Sequence, residues 1–118
     1  MKGLLFPKPK NKKKRKSHKK SIMQEKNGTC YLCMKLHGDY RIHTYLEEHH
    51  IFGGPNRSVS EAEGLKVDLC LSHHREGQEA VHENAEIQKI LKEDAQREYE
   101  KTHTREEFMG MIGKNYLG

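Results

Sequence analysis

Tryptophan is absent, and the other aromatics make up only 7% of the 118 residues. The hydrophobic fraction is 33%, well under the ~45–50% of an ordinary globular domain. A core built from so little is small, and small cores need a staple. No stretch approaches the ~18 consecutive apolar residues of a membrane-spanning helix, which excludes such a span. Met1–Phe6 is too short for the apolar part of a signal peptide, and lysines follow at once. A soluble, cytoplasmic protein is therefore expected. Acidic residues are missing from positions 1–20. Cysteine is scarce and odd in number: three cannot all pair within one chain, and in a reducing compartment Cys-x-x-Cys points to metal or redox chemistry.

Charge is present in quantity and unevenly placed. The net of +5 hides two regions of opposite sign. Residues 1–20 hold ten lysines and arginines, and the remainder carries 12 basic and all 17 acidic side chains, a net of −5. Pro7, Pro9 and the run Lys12, Lys13, Lys14, Arg15, Lys16 mark residues 1–22 as a disordered, Lys-rich arm. Such an arm is an electrostatic handle for phosphates, a solubility tail or a nuclear localisation signal, and the run alone does not separate them.

Behind the arm, turn and period signals outline an α+β chain. Asn27-Gly28 and Gly38-Asp39 are turn dipeptides flanking Cys30-Tyr-Leu-Cys33, which reads as a turn-rich, hairpin-like loop. Period-two alternation predicts strands over Arg41–Phe52 and Leu65–Leu71, with the polar residues 55–64 as a loop between them. Ser72 is placed to cap a helix that Gly77 keeps short. From Asn84 the period becomes 3.6, with Ile87, Ile90, Leu91, Ala95 and Tyr99 on one stripe. Thr104-Arg-Glu-Glu107 is a capping-box pattern for a last helix, and Gly113 suits its end. The division expected is an arm over 1–22, a metal-stapled core over 23–83 and a helical extension over 84–118 packing on it.

Two ligand pairs carry the staple. Cys30-x-x-Cys33 and, 37 residues after Cys33, Cys70-x-x-His73 supply the four thiolate and imidazole donors that a tetrahedral zinc site takes. Metal-binding free energy then replaces the missing core. The plain alternative is three buried cysteines and a surface histidine. Nine histidines are many for this length. His49 and His50 adjoin at the end of the first expected strand, ahead of Gly53-Gly54, while His74 and His82 follow the second ligand pair. Neighbours on a regular strand face opposite ways, so His49 and His50 cannot both ligate one ion without a bend. A subset of His49, His74 and His82 could hold a second ion.

His49-His50-Ile51 before a glycine turn, Leu69-Cys70-Leu-Ser-His73-His74 and the upstream Cys30-x-x-Cys33 together resemble the zinc-stapled branch of the HNH endonuclease family. The resemblance covers about residues 28–82, and the Lys-rich arm and C-terminal helices look similar to small phage-type HNH proteins. It implies a ββα-metal, treble-clef-like core with a structural zinc on Cys30, Cys33, Cys70 and His73. It implies His50 as general base, His49 and His74 as ligands of a catalytic Mg²⁺, Mn²⁺ or other divalent ion, and His82 as a further ligand. The middle Asn usual in the family has no counterpart in Gly64-Leu65-Lys66-Val67-Asp68.

The activity implied is metal-dependent hydrolysis of phosphodiester bonds in DNA, leaving 5′-phosphate and 3′-hydroxyl ends. No small-molecule cofactor is expected, and the chain would act as a monomer or weak dimer. The arm would hold DNA without reading sequence, since phosphate contacts position and base contacts specify. The other reading is a treble-clef-like zinc module that binds nucleic acid or a protein without cutting. The zinc ligands and arm serve both, and the second histidine set has a use only in the first.

Overall fold

A computed structural model of the protein describes residues 18–118. Lys12, Lys13, Lys14, Arg15 and Lys16, and most of the expected arm, lie outside the described residues.

Cys30 opens the first helix, α1 (Tyr31–His37), as its N-cap: the Cys33 amide donates to Cys30 Sγ at 3.4 Å. Gly38, in the left-handed conformation, closes it. The Cys30–Cys33 pair is thus a helix start and not a hairpin-like loop. A helix of two turns with a thiol as cap carries none of the usual start signals, which favour Ser, Thr, Asp or Asn. Strand β1 spans Glu47–His50 and not Arg41–Phe52. Its antiparallel partner, β2, has only the four residues Lys66–Leu69, because Gly64 ends a helix on one side and Cys70 turns toward the other cysteines on the other. A strand extends no further than the edge that pairs with it. Residues 41–45 therefore run outside the sheet, leaving Tyr40, Ile42 and Tyr45 exposed.

The expected loop over 55–64 is instead a 3₁₀ turn (Gly54–Asn56) leading into α2 (Arg57–Glu63). Pro55 at the entry and Gly64 just past the end are the helix punctuation that marks it. Ser60 locks α2 to the chain after β1, accepting from the Phe52 amide at 3.0 Å and donating to the Phe52 carbonyl at 2.8 Å. Gly64 (φ +75°) lies so close to the backbone that a Cβ there would strike the Lys20 carbonyl oxygen. Gly38 (φ +61°) has open space around it. Gly64→Ala should therefore cost about 3 kcal/mol or more in urea unfolding, combining left-handed strain with the collision, while Gly38→Ala costs about 1 kcal/mol.

In β2, Lys66 and Asp68 are buried along with Val67 and Leu69. Ion pairs account for it. Lys66 Nζ meets Glu61 at 2.9 Å, and Lys26 Nζ bridges Glu48 and Asp68 at 2.7 and 2.8 Å. After Cys70 the chain makes one π-helical turn over Ser72–Glu76, with Ser72 inside it and not capping it, and Gly77 ends it as expected. Helix α3 (Ala85–Tyr99) starts on Asn84, whose Oδ1 accepts from the Glu86 and Ile87 amides. Helix α4 (Arg105–Ile112) starts on the full Thr104–Glu107 capping box and ends on Gly113.

The core joins Leu32 of α1, Leu65, Val67 and Leu69 around β2, Leu91 of α3 and Phe108 of α4, all with no exposed surface. Phe52, two residues past the end of β1, packs edge-on against Phe108 at 5.7 Å and beside Tyr116. Tyr31 donates to Asp94 at 2.8 Å, tying α1 to α3. The architecture is a mixed α+β one, with four α-helices and a two-stranded sheet among the described residues. No helix among the described residues is long and apolar enough to cross a membrane.

Candidate metal centres

The N-terminus of α1 and the turn after β2 converge on one buried point. Cys33 Sγ lies 3.8 Å from Cys70 Sγ, and His73 Nδ1 lies 3.4 Å from both Cys33 and Cys70 and 3.7 Å from Cys30. With bonds of ~2.3 Å to sulfur and ~2.1 Å to nitrogen, a tetrahedral site has donor–donor edges of about 3.6–3.8 Å. The four donors thus stand where one ion would hold them, and Cys30, Cys33, Cys70 and His73 form a candidate metal site. Burial pushes the Cys30 and Cys33 thiols up from their ordinary values, so a cation is what would make thiolates of them. His73 Nε2 donates to Glu79 Oε1 at 3.0 Å, which leaves the Nδ1 lone pair facing the sulfurs. His37 meets the same carboxylate oxygen at 2.8 Å. Glu79 sits in an irregular turn with no periodic signal, and the sequence gives no sign of its role.

A second cluster forms on the other side of the π turn. His49 of β1, His74 of the turn and His82 present nitrogens within 4.8 Å of one another. His74 Nε2 and His82 Nε2 are 3.0 Å apart, a spacing that needs a proton or a cation between them. The rings of His49 and His74 are centred 5.3 Å apart, and those of His49 and His82 5.5 Å apart. Burial, with His74 and His82 close by, lowers the His49 pKa to about 3, so its ring is neutral and keeps its lone pair at pH 7.

Glu47 organises this cluster from behind. Its Oε1 lies 2.6 Å from His74 Nδ1, Arg75 grips both carboxylate oxygens, and Tyr45 donates to Oε2 at 2.7 Å. These partners, Arg75 foremost, hold the carboxyl well below the usual carboxylate range. An ionised Glu47 can only accept, so His74 donates from Nδ1 and turns its bare Nε2 toward His49 and His82. An ion held by these three imidazoles would keep coordination positions free, unlike one held by the four donors of the cysteine-rich site. Glu47→Gln, which loses the charge that fixes this tautomer, should weaken divalent-ion binding at the cluster roughly 10- to 100-fold in titration calorimetry, without changing the melting temperature.

His50 faces away from these rings, as strand alternation requires, and its Nε2 meets Glu61 Oε1 at 2.7 Å. Both histidines nevertheless border one pocket, together with His74, His82, Arg57 and Lys92. Neither Arg57 nor Lys92 has an acidic partner among the described residues. Arg57 and Glu61 come from α2, the helix that polar composition conceals, and Lys92 comes from α3. Compared with protein-family models, curated proteins and solved structures, the chain finds no match.

Proposed function

We propose that this chain is an HNH-type, metal-dependent endonuclease that hydrolyses phosphodiester bonds in DNA, built on a ββα-metal core. One observation supports the reading above the rest: His49, His74 and His82, from three separate stretches, converge beside His50 in an open pocket. The cysteine-rich site takes a structural zinc, as three thiols and an imidazole suit that ion and leave no position free. The histidine cluster takes Mg²⁺, Mn²⁺ or another divalent ion, with His82 the most exposed of the three ligands.

When bound, that ion supplies Lewis-acid stabilisation to the scissile phosphate and to the departing oxygen. The residues of the chain do the rest. His50 accepts a proton from the attacking water as the water oxygen bonds to phosphorus. The bond from phosphorus to the 3′-oxygen breaks, and that oxygen is protonated from solvent. Arg57 and Lys92, without acidic partners among the described residues, offer cations to the neighbouring phosphates. The basic run Lys12–Lys16 adds contacts that do not depend on sequence.

Supercoiled plasmid with Mg²⁺ or Mn²⁺ tests this. The wild-type chain should convert it to nicked circles, and His50→Ala should slow nicking about 10²- to 10⁴-fold, the range of a lost general base. Plasmid left intact with every divalent ion would favour a zinc module that binds without cutting. Equal nicking by His50→Ala would remove His50 from the role of base.

A further inference from the structure

We propose that Glu61 is the positioning residue of His50, fixing its tautomer so that Nδ1 is the atom that takes the proton. The inference rests on the nuclease reading above, and its geometry is that of the Glu61–His50–Lys66 contacts themselves, although Glu48, His50 and Glu61 also lie close enough together to hold an ion. Glu61 holds three partners in a fixed order. Its Oε1 faces His50 Nε2 at 2.7 Å, while its Oε2 faces Lys66 Nζ at 2.9 Å and His18 Nδ1 at 2.8 Å. The Lys66 side chain is only 8% exposed and that of His50 11%, so water does not substitute for these contacts. Lys66 also sits directly across from His50 in the β1–β2 register.

The hydrogen-bonding capacities decide the tautomer. An ionised carboxylate accepts and never donates, and an ammonium donates and never accepts. Facing Glu61, the neutral His50 ring must therefore carry its proton on Nε2. Its second nitrogen, Nδ1, is left with a lone pair on a ring that borders the pocket. This is the logic of a base oriented by a third group, with α2 supplying the third group.

The same capacities give a test that a merely structural contact would not pass. In Glu61→Gln the amide has one oxygen and one NH₂. Lys66 demands the oxygen, so the NH₂ turns to His50 and forces the proton onto Nδ1, the wrong atom. Imidazole ¹⁵N shifts of His50 in the full-length protein read this directly. The wild type should show Nε2–H with bare Nδ1, and Glu61→Gln should show the reverse. In plasmid nicking, Glu61→Gln should lower kcat at least tenfold with KM within twofold and the melting temperature unchanged. Adding Lys66→Met frees the amide to turn its oxygen back, so the double variant should regain the Nε2–H tautomer and part of kcat.

An Nδ1–H tautomer in the wild type overturns the proposal whether or not the chain cuts. So does a Glu61→Gln variant with an unchanged tautomer and full kcat. A wild type that shows the Nε2–H tautomer yet cuts nothing overturns the nuclease reading instead, and with it the use assigned to Nδ1. Should Glu61→Gln fail to fold, the wild-type tautomer alone still decides.

Discussion

Cys33→Ser is expected to give a chain that retains no zinc and has no cooperative unfolding transition. A structural zinc contributes roughly 10–16 kcal/mol of apparent binding free energy. A whole domain is stable by only about 5–15 kcal/mol. A chain that is 33% hydrophobic has little core to offset the loss, so a metal term of that size would decide whether it folds. Cys33 is a consequential position, because its sulfur meets both Cys70 and His73 and it lies on the first turn of α1. Its loss detaches α1 from the turn after β2, and Leu32 then leaves the core with it. Chelation of the wild-type protein should do the same. Far-UV circular dichroism with metal analysis on one sample checks both, and a folded, zinc-free wild type would refute the assignment.

The second large effect concerns activity without stability. His74→Ala should abolish nicking by at least about 10³-fold while the fold and the structural zinc persist. His74 is the middle member of its cluster, 3.0 Å from His82 and backed by Glu47. Unlike His73, its immediate neighbour, it contributes nothing to the buried sulfur site. On the proposed reading, two adjacent histidines on one π turn would carry separable duties, on the kind of turn that recurs at functional sites. A plasmid assay together with a melting curve distinguishes them: His73→Ala should lose fold and activity together, and His74→Ala activity alone.

The candidate site of Cys30, Cys33, Cys70 and His73 could be read from the sequence because spacing encodes it. Cys-x-x-Cys and Cys-x-x-His need only local geometry to turn two donors inward. Helices α3 and α4 were equally legible, since Asn84, Thr104, Glu107 and Gly113 state their ends in residue types. Helices α1 and α2 were not. The first has a thiol as its cap, and the second has polar residues over most of its length and buries only Ser60. Alternation from Ile42 to Leu46 predicts a longer β1 than forms, because it says nothing about how long the partner edge is. The carboxylates that orient the histidines are the least legible part. Glu61 and Glu79 reach His50 and His73 across 11 and 6 positions, and no local pattern announces such pairings, whereas Glu47, beside the histidine pair, is placed to orient an imidazole and does meet His74.

Anomalous diffraction from crystals of the full chain soaked in Mn²⁺, recorded at the zinc and manganese edges, tests the central claim most directly. The account predicts two separate ions: zinc among Cys30, Cys33, Cys70 and His73, and manganese among His49, His74 and His82. A single ion among the sulfurs, with no density between the three imidazoles at saturating Mn²⁺, would contradict it.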